Sequence, residues 1–172
     1  MSIGKREFSR IVTFSRPTGN TTQYSINDAV SDNATSATAA SFTLTGMAAA
    51  NGMGGKITGV TLYKNDQDLV LADFNIYFFK SQPVSTGYED NVLIAITDTE
   101  WQSCFGFVEL VGSTTPPLDA VNVATGDLFC RTNLDLNYEC ASGSTSLYFV
   151  MVARSAYTPA DGETFTLIVD AE

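Results

Sequence analysis

Histidine is missing altogether from these 172 residues. Its absence removes the usual proton shuttle near neutral pH, the base of Ser-His and Cys-His nucleophile pairs, and the commonest metal ligand. Cysteine is scarce as well. Cys104, Cys130 and Cys140 show no CxxC spacing, so a zinc site would have to lean on carboxylates. An odd number of thiols outside a signal-peptide context argues against a disulfide framework. With Phe105, Phe129 and Tyr138 close by in the chain, three reduced and mostly buried thiols are expected; a Cys130–Cys140 pair across a hairpin is the alternative. No apolar run approaches the ~18 residues that a membrane span needs. Residues 1–15 also lack the apolar h-region of a secretory signal. A soluble protein made in a cytoplasm is the expectation.

Basic charge is the next shortage, and it is unevenly placed. The net charge is −10. Residues 1–16 hold Lys5, Arg6, Arg10 and Arg16 against Glu7 alone, a net of +3, while the remainder carries five basic and eighteen acidic side chains, a net of −13. A body that acidic repels phosphate, which speaks against nucleic-acid binding. The basic start is either a solvated first strand or an arm, with residues 1–7 the candidate, reaching for an acidic partner.

What the chain does have is β-forming material: eleven Phe and seven Tyr against a single Trp. Apolar residues recur with a period of two. Phe165, Leu167 and Val169 alternate with Thr164, Thr166 and Asp170, and Phe8, Arg10, Val12 and Phe14 with Ser9, Ile11 and Thr13. Further strands are expected near 24–30, 41–46, 56–64 (Val60 and Leu62 inward), 73–80, 105–111, 128–132 and 134–140, and in the run that starts at Ser146. Residues 92–97, a continuous apolar run, read as a buried strand. Turn chemistry separates them, as at Pro17-Thr18-Gly19-Asn20 and Pro159-Ala160-Asp161-Gly162. Residues 98–102 are expected to make one helical turn capped by Asp98, and 112–126 the longest loop. The expected fold is all-β: a single antiparallel β-sandwich domain over residues 1–172, jelly-roll-like, with about 8–10 strands and little or no helix.

No constellation in the sequence amounts to an active site, so the chain reads as a non-enzyme with no cofactor. The run NGMGGK at 51–56 imitates a phosphate loop, but Ile57 replaces the required Ser or Thr and a strand follows instead of a helix. Acidic residues cluster at Asp66, Asp68 and Asp73 and at Glu89 and Asp90, as solvated turns or a weak cation site without the DxDxDG pattern. A carboxylate pair can cleave glycosides, yet nineteen carboxylates leave no particular pair assigned. Tyr88 and Trp101 are candidate sugar-stacking residues, though for Trp101 core packing is the expectation.

Three runs carry a family resemblance: GKITGVTLYK at 55–64, DFNIYFFKSQPV at 73–84 with its acidic 89–91 loop, and VARSAYTPADGETFTLIVDAE at 152–172. From about residue 7 to its end the chain resembles the jelly-roll decoration, or cement, proteins of tailed-bacteriophage capsids. The resemblance implies a homotrimer on the outer capsid surface. It would bind the major capsid protein at three-fold and quasi-three-fold positions and stabilise the shell, with no membrane or nucleic acid involved. Lys5, Arg6, Arg10 and Arg16 are the candidate capsid contacts. The alternative is a carbohydrate-binding or receptor-binding module of a phage particle.

Overall fold

Where apolar residues alternate with Ser and Thr, the chain forms strands with one wet face; where they run together, it forms strands covered on both sides. The computed structural model describes residues 7–34, 42–65, 72–84, 87–112, 120–123 and 126–172. Its elements are β1 (Phe8–Ser15), β2 (Ala29–Val30), β3 (Phe42–Leu44), β4 (Gly54–Lys64), β5 (Phe74–Phe79), α1 (Asp98–Trp101), β6 (Cys104–Leu110), β7 (Ala120–Val123), β8 (Gly126–Glu139), β9 (Leu147–Ala153) and β10 (Thr164–Ala171).

The strands make two antiparallel sheets, β1-β10-β4-β8-β7 and β2-β9-β5-β6, with β3 also pairing β9. The all-β sandwich expected from the sequence is what the chain forms. Consecutive strands mostly lie in opposite sheets, so most connections cross the end of the sandwich. Rings from both sheets interlock between the layers. Phe14 of β1 stacks on Phe42 of β3 at 4.1 Å and on Phe165 of β10 at 5.3 Å, and Phe42 meets Phe149 of β9 at 5.1 Å. Phe74 of β5 sets its edge against Phe129 of β8 at 5.5 Å. Removing one such ring costs about 3–5 kcal/mol.

The period-two expectation holds on β10, where Phe165, Leu167 and Val169 are fully buried and Thr164, Thr166 and Ile168 are less so. On β5 and β9 alternation is lost because both faces are covered. Their inner residues join the main core. Their outer residues Phe79, Val150 and Val152 pack under Tyr88, Ile94 and Ile96, which belong to the connection from β5 to β6. This connection is a third layer.

Several expectations are corrected. Residues 92–97 form no strand: Leu93 makes one isolated bridge to Asp28, and Val92 and Leu93 are exposed. That apolar run caps the outer face of a sheet instead of entering one. The two strands expected over 128–140 are one 14-residue strand that ends at Glu139. The break read near Asn133 survives only as a left-handed residue (φ 57°) beside a register shift opposite Ile57–Gly59. No hairpin therefore brings Cys130 to Cys140; the bulged strand between them keeps them roughly 25 Å apart, and all three thiols are free. The long loop 112–126 holds β7, which pairs with the start of β8. The helical turn exists, but its cap is Thr97, not Asp98. Thr97 is extended and accepts from Glu100 N–H, and the Glu100 carboxylate accepts from Thr97 in return.

Candidate functional site

Of the four basic residues expected to meet a partner, the structure describes Arg10 and Arg16. Lys5 and Arg6 lie outside the described residues. Arg10 is half-buried on edge strand β1, where its guanidinium donates to the carbonyls of Thr45 (2.8 Å), Gly46 (2.6 Å) and Ser9 (3.0 Å) and lies over the Phe8 ring. Arg10 pins the β1 edge to the turn after β3. Arg16 is withdrawn as a contact residue, because its side chain is wholly buried.

Arg16 instead pairs with Asp90, Nη2 to Oδ2 at 2.8 Å, with both side chains out of solvent. Asp90 also accepts from Asn20 Nδ2 (2.9 Å), Ser31 N–H (3.1 Å) and the Tyr24 hydroxyl. This network ties the end of β1 to the connection after β5. Burial first, then the Asp90 charge, pushes the Tyr24 phenol well above its ordinary pKa, so it stays a neutral donor. The Glu89-Asp90 turn is therefore no cation site: Asp90 is answered by Arg16. Among the described residues, no group of three or more His, Cys, Asp or Glu is placed to hold a metal ion. Asp66 and Asp68 lie outside the described residues.

A second buried cluster lies at one end of the core. Lys64 Nζ stands 3.1 Å from Asp127 Oδ2 and 2.8 Å from Glu163 Oε1, and all three side chains are fully buried. The Tyr157 hydroxyl donates to Glu163 Oε2 at 3.5 Å, and its ring lies 5.8 Å from the ammonium. The sequence held a signal for this cluster. Lys64 shares its parity with inward Val60 and Leu62, Asp127 with Phe129, and Glu163 with Phe165. Charge at an inward position of two strands, and just ahead of a third, asks for a common meeting point.

The surface carries the other candidate. Trp101, expected in the core, is 47% exposed, and Tyr88, offered as a surface aromatic, is completely buried. Trp101 ends the four-residue helix. It packs edge-on against Tyr77 at 5.8 Å, and Tyr77 in turn meets its cross-strand partner Phe107 at 5.4 Å. Phe107, on edge strand β6, is 54% exposed. Beside this trio the Tyr77 hydroxyl accepts from Asn75 Nδ2 (3.2 Å), and Arg154 bridges to Glu109 at 3.0 Å. The result is an apolar strip with a polar margin, able to pack against a protein surface or stack on a sugar ring. The outer face of the other sheet is hydroxyl-rich by contrast, with Thr13 to Thr166 at 3.0 Å and Ser15 to Thr164 at 2.7 Å. Within it the register sets exposed Ile11 opposite Ile168. An open cleft of about 440 Å³ lies at the β4–β8 irregularity, lined in part by Glu7, Asp170, Thr58 and Asn133; Asp170 accepts from Ser9.

Comparison of the sequence with protein-family models and with curated proteins finds no match to either.

Proposed function

We propose that this chain is a structural protein of a tailed-bacteriophage particle. In this reading it decorates the outer capsid as a homotrimer, binding the major capsid protein at three-fold and quasi-three-fold positions and stabilising the shell. The carrying observation is the exposed Trp101–Tyr77–Phe107 strip on a rigid sandwich. Large exposed aromatics beside an edge strand fit a protein contact, since aromatics dominate such interfaces when they are desolvated. The order β1-β10-β4-β8 facing β3-β9-β5-β6 supports the jelly-roll form of the fold, in which successive strands alternate between sheets. A closed trimer repeats one interface around an axis, and three-fold attachment multiplies weak shell contacts into avidity.

Because Trp101 is the sole tryptophan, its fluorescence reports this strip directly. Light scattering of the purified chain should give three times the monomer mass. Trp101 emission should shift to the blue on binding undecorated shells, and Trp101→Ala with Phe107→Ala should lower occupancy at least tenfold. A strict monomer whose Trp101 emission ignores shells refutes the reading. Loss of occupancy in a variant lacking residues 1–7 would add Lys5 and Arg6 to the contact surface.

A second reading draws on the polar margin of the same strip. Asn75, Glu109 and Arg154 beside exposed aromatics suit the hydroxyls and faces of a saccharide. Saturable quenching of Trp101 by glycans, with no response to shells, would favour a carbohydrate-binding module.

A further inference from the structure

We propose that Lys64 and Asp127 are joined in the mature protein by an intramolecular amide cross-link, formed by the chain itself with Glu163 moving the protons.

The two residues are direct register partners on neighbouring strands β4 and β8, so both side chains emerge on the same inward face. The backbones meet closely there. A Cβ on Gly126 would lie 2.0 Å from the Lys64 carbonyl oxygen, so only glycine lets β8 start at this point and carry Asp127 to Lys64. The amine nitrogen lies 3.1 Å from Asp127 Oδ2. That contact holds Nζ against the carboxyl group, one C–O bond from the Cγ it would attack. Glu163 Oε1 touches the same nitrogen at 2.8 Å from the opposite strand neighbour, just ahead of β10. One nucleophile, one electrophilic carboxyl and one proton acceptor thus converge on a single atom.

The surroundings favour the condensation. The cluster has no solvent exposure and sits against the Tyr157 ring, which Phe74 meets edge-on at 5.6 Å. Two carboxyls against one amine make a cluster that is neutral only with a proton held between the carboxyls, and burial in an apolar site disfavours leaving net charge there. A desolvated lysine is a recognised way to an activated nucleophile. Exclusion of bulk water also disfavours the reverse hydrolysis.

The step balances within the cluster. The Lys64 ammonium passes one proton to the Glu163 carboxylate, and the free electron pair on Nζ attacks Cγ of the protonated Asp127 carboxyl, forming the C–N bond. As the tetrahedral intermediate collapses, the Cγ–OH bond breaks. Glu163 gives its proton to the departing hydroxyl, which leaves as water, and takes the surplus proton from nitrogen. The products are a neutral amide, one water and the Glu163 carboxylic acid. No oxidant or outside reagent is consumed. The bond would close a covalent loop containing β5, α1, β6 and β7, a constraint on the unfolded chain of the kind a disulfide supplies, in a protein whose thiols are all free.

Intact-mass spectrometry of the denatured, reduced full chain tests this. After incubation at neutral pH, the expected mass is below the sequence mass by one water. Peptide mapping should recover a branched peptide joining the segments that contain Lys64 and Asp127. Lys64→Arg keeps the positive charge but is no nucleophile, and Glu163→Gln removes the proton acceptor at constant size; each should show the full sequence mass. A wild-type chain at its full sequence mass overturns the proposal, as does water loss that persists in Lys64→Arg or maps to other residues. The wild-type measurement decides the matter even if both variants fail to fold.

Discussion

Asp90→Asn should unfold this protein at a markedly lower temperature than its small change in shape suggests. Asp90 accepts from five donors: Arg16 Nη2 at 2.8 Å and Nε at 3.4 Å, Asn20 Nδ2 at 2.9 Å, Ser31 N–H at 3.1 Å and the Tyr24 hydroxyl. An asparagine there supplies one acceptor oxygen and an NH₂ group. Placed at the Oδ2 position, that NH₂ faces the two donors Arg16 Nη2 and Asn20 Nδ2. Turned the other way, it faces Tyr24, Ser31 and Arg16 Nε. In either orientation the Arg16 charge stays buried without its counter-charge. Breaking a buried ion pair from one side costs about 3–5 kcal/mol, a large part of the roughly 5–15 kcal/mol that holds a domain folded. For a chain of this size that loss corresponds to a fall in Tm of about 6–20 °C. Urea unfolding and thermal melts of wild type, Asp90→Asn and the double variant Arg16→Met with Asp90→Leu make the test. The double variant should recover part of the loss, because the uncompensated Arg16 charge is gone while Tyr24, Ser31 N–H and Asn20 still lack their acceptor. An Asp90→Asn protein within about 1 kcal/mol of wild type would refute the reasoning, as would a double variant no better than the single one.

Other outcomes follow from the same structure. Burial raises the phenols of Tyr24, Tyr88 and Tyr138 above their ordinary value of 10.0, Tyr138 to about 12. A raised folded-state pKa means stability that is whole below pH 10 and lost as the pH climbs through the folded values. Denaturant midpoints should therefore fall steadily above pH 10, with the phenolate absorbance of these three rings appearing only on unfolding; free titration of all seven tyrosines near pH 10 in a still-folded protein would contradict this. Gly126→Ala meets backbone, not a movable side-chain tip, so it should destabilise by about 1–3 kcal/mol in urea titration. By the same contact it should also slow any Lys64–Asp127 bond formation seen by mass. Mild oxidation should give no Cys130–Cys140 disulfide in non-reducing peptide maps, and recovery of that peptide pair from folded protein would mean β8 is not continuous.

Particular elements show how far the chain could be read unaided. On β1 and β10 the polar–apolar alternation located the strands and chose their inward residues, because side chains of an extended backbone point to opposite faces whatever the neighbours are. The glycine and proline turns were legible for a similarly local reason. Residues 92–97 were misread because an apolar run reports burial without saying which layer provides it. Trp101 was misplaced since exposure depends on what the fold lays over a ring, and among the described residues it stays 47% exposed.

The sequence by itself thus determined the class of fold, the positions of most strands and which faces turn inward, all consequences of backbone geometry within a few residues. The tertiary structure alone decided which charges meet: Arg16 with Asp90, and Lys64 with Asp127 and Glu163. Those residues are far apart along the chain and become neighbours only through the order in which strands pair. Burial then sets their chemistry, because removal of water makes a partner obligatory for each charge.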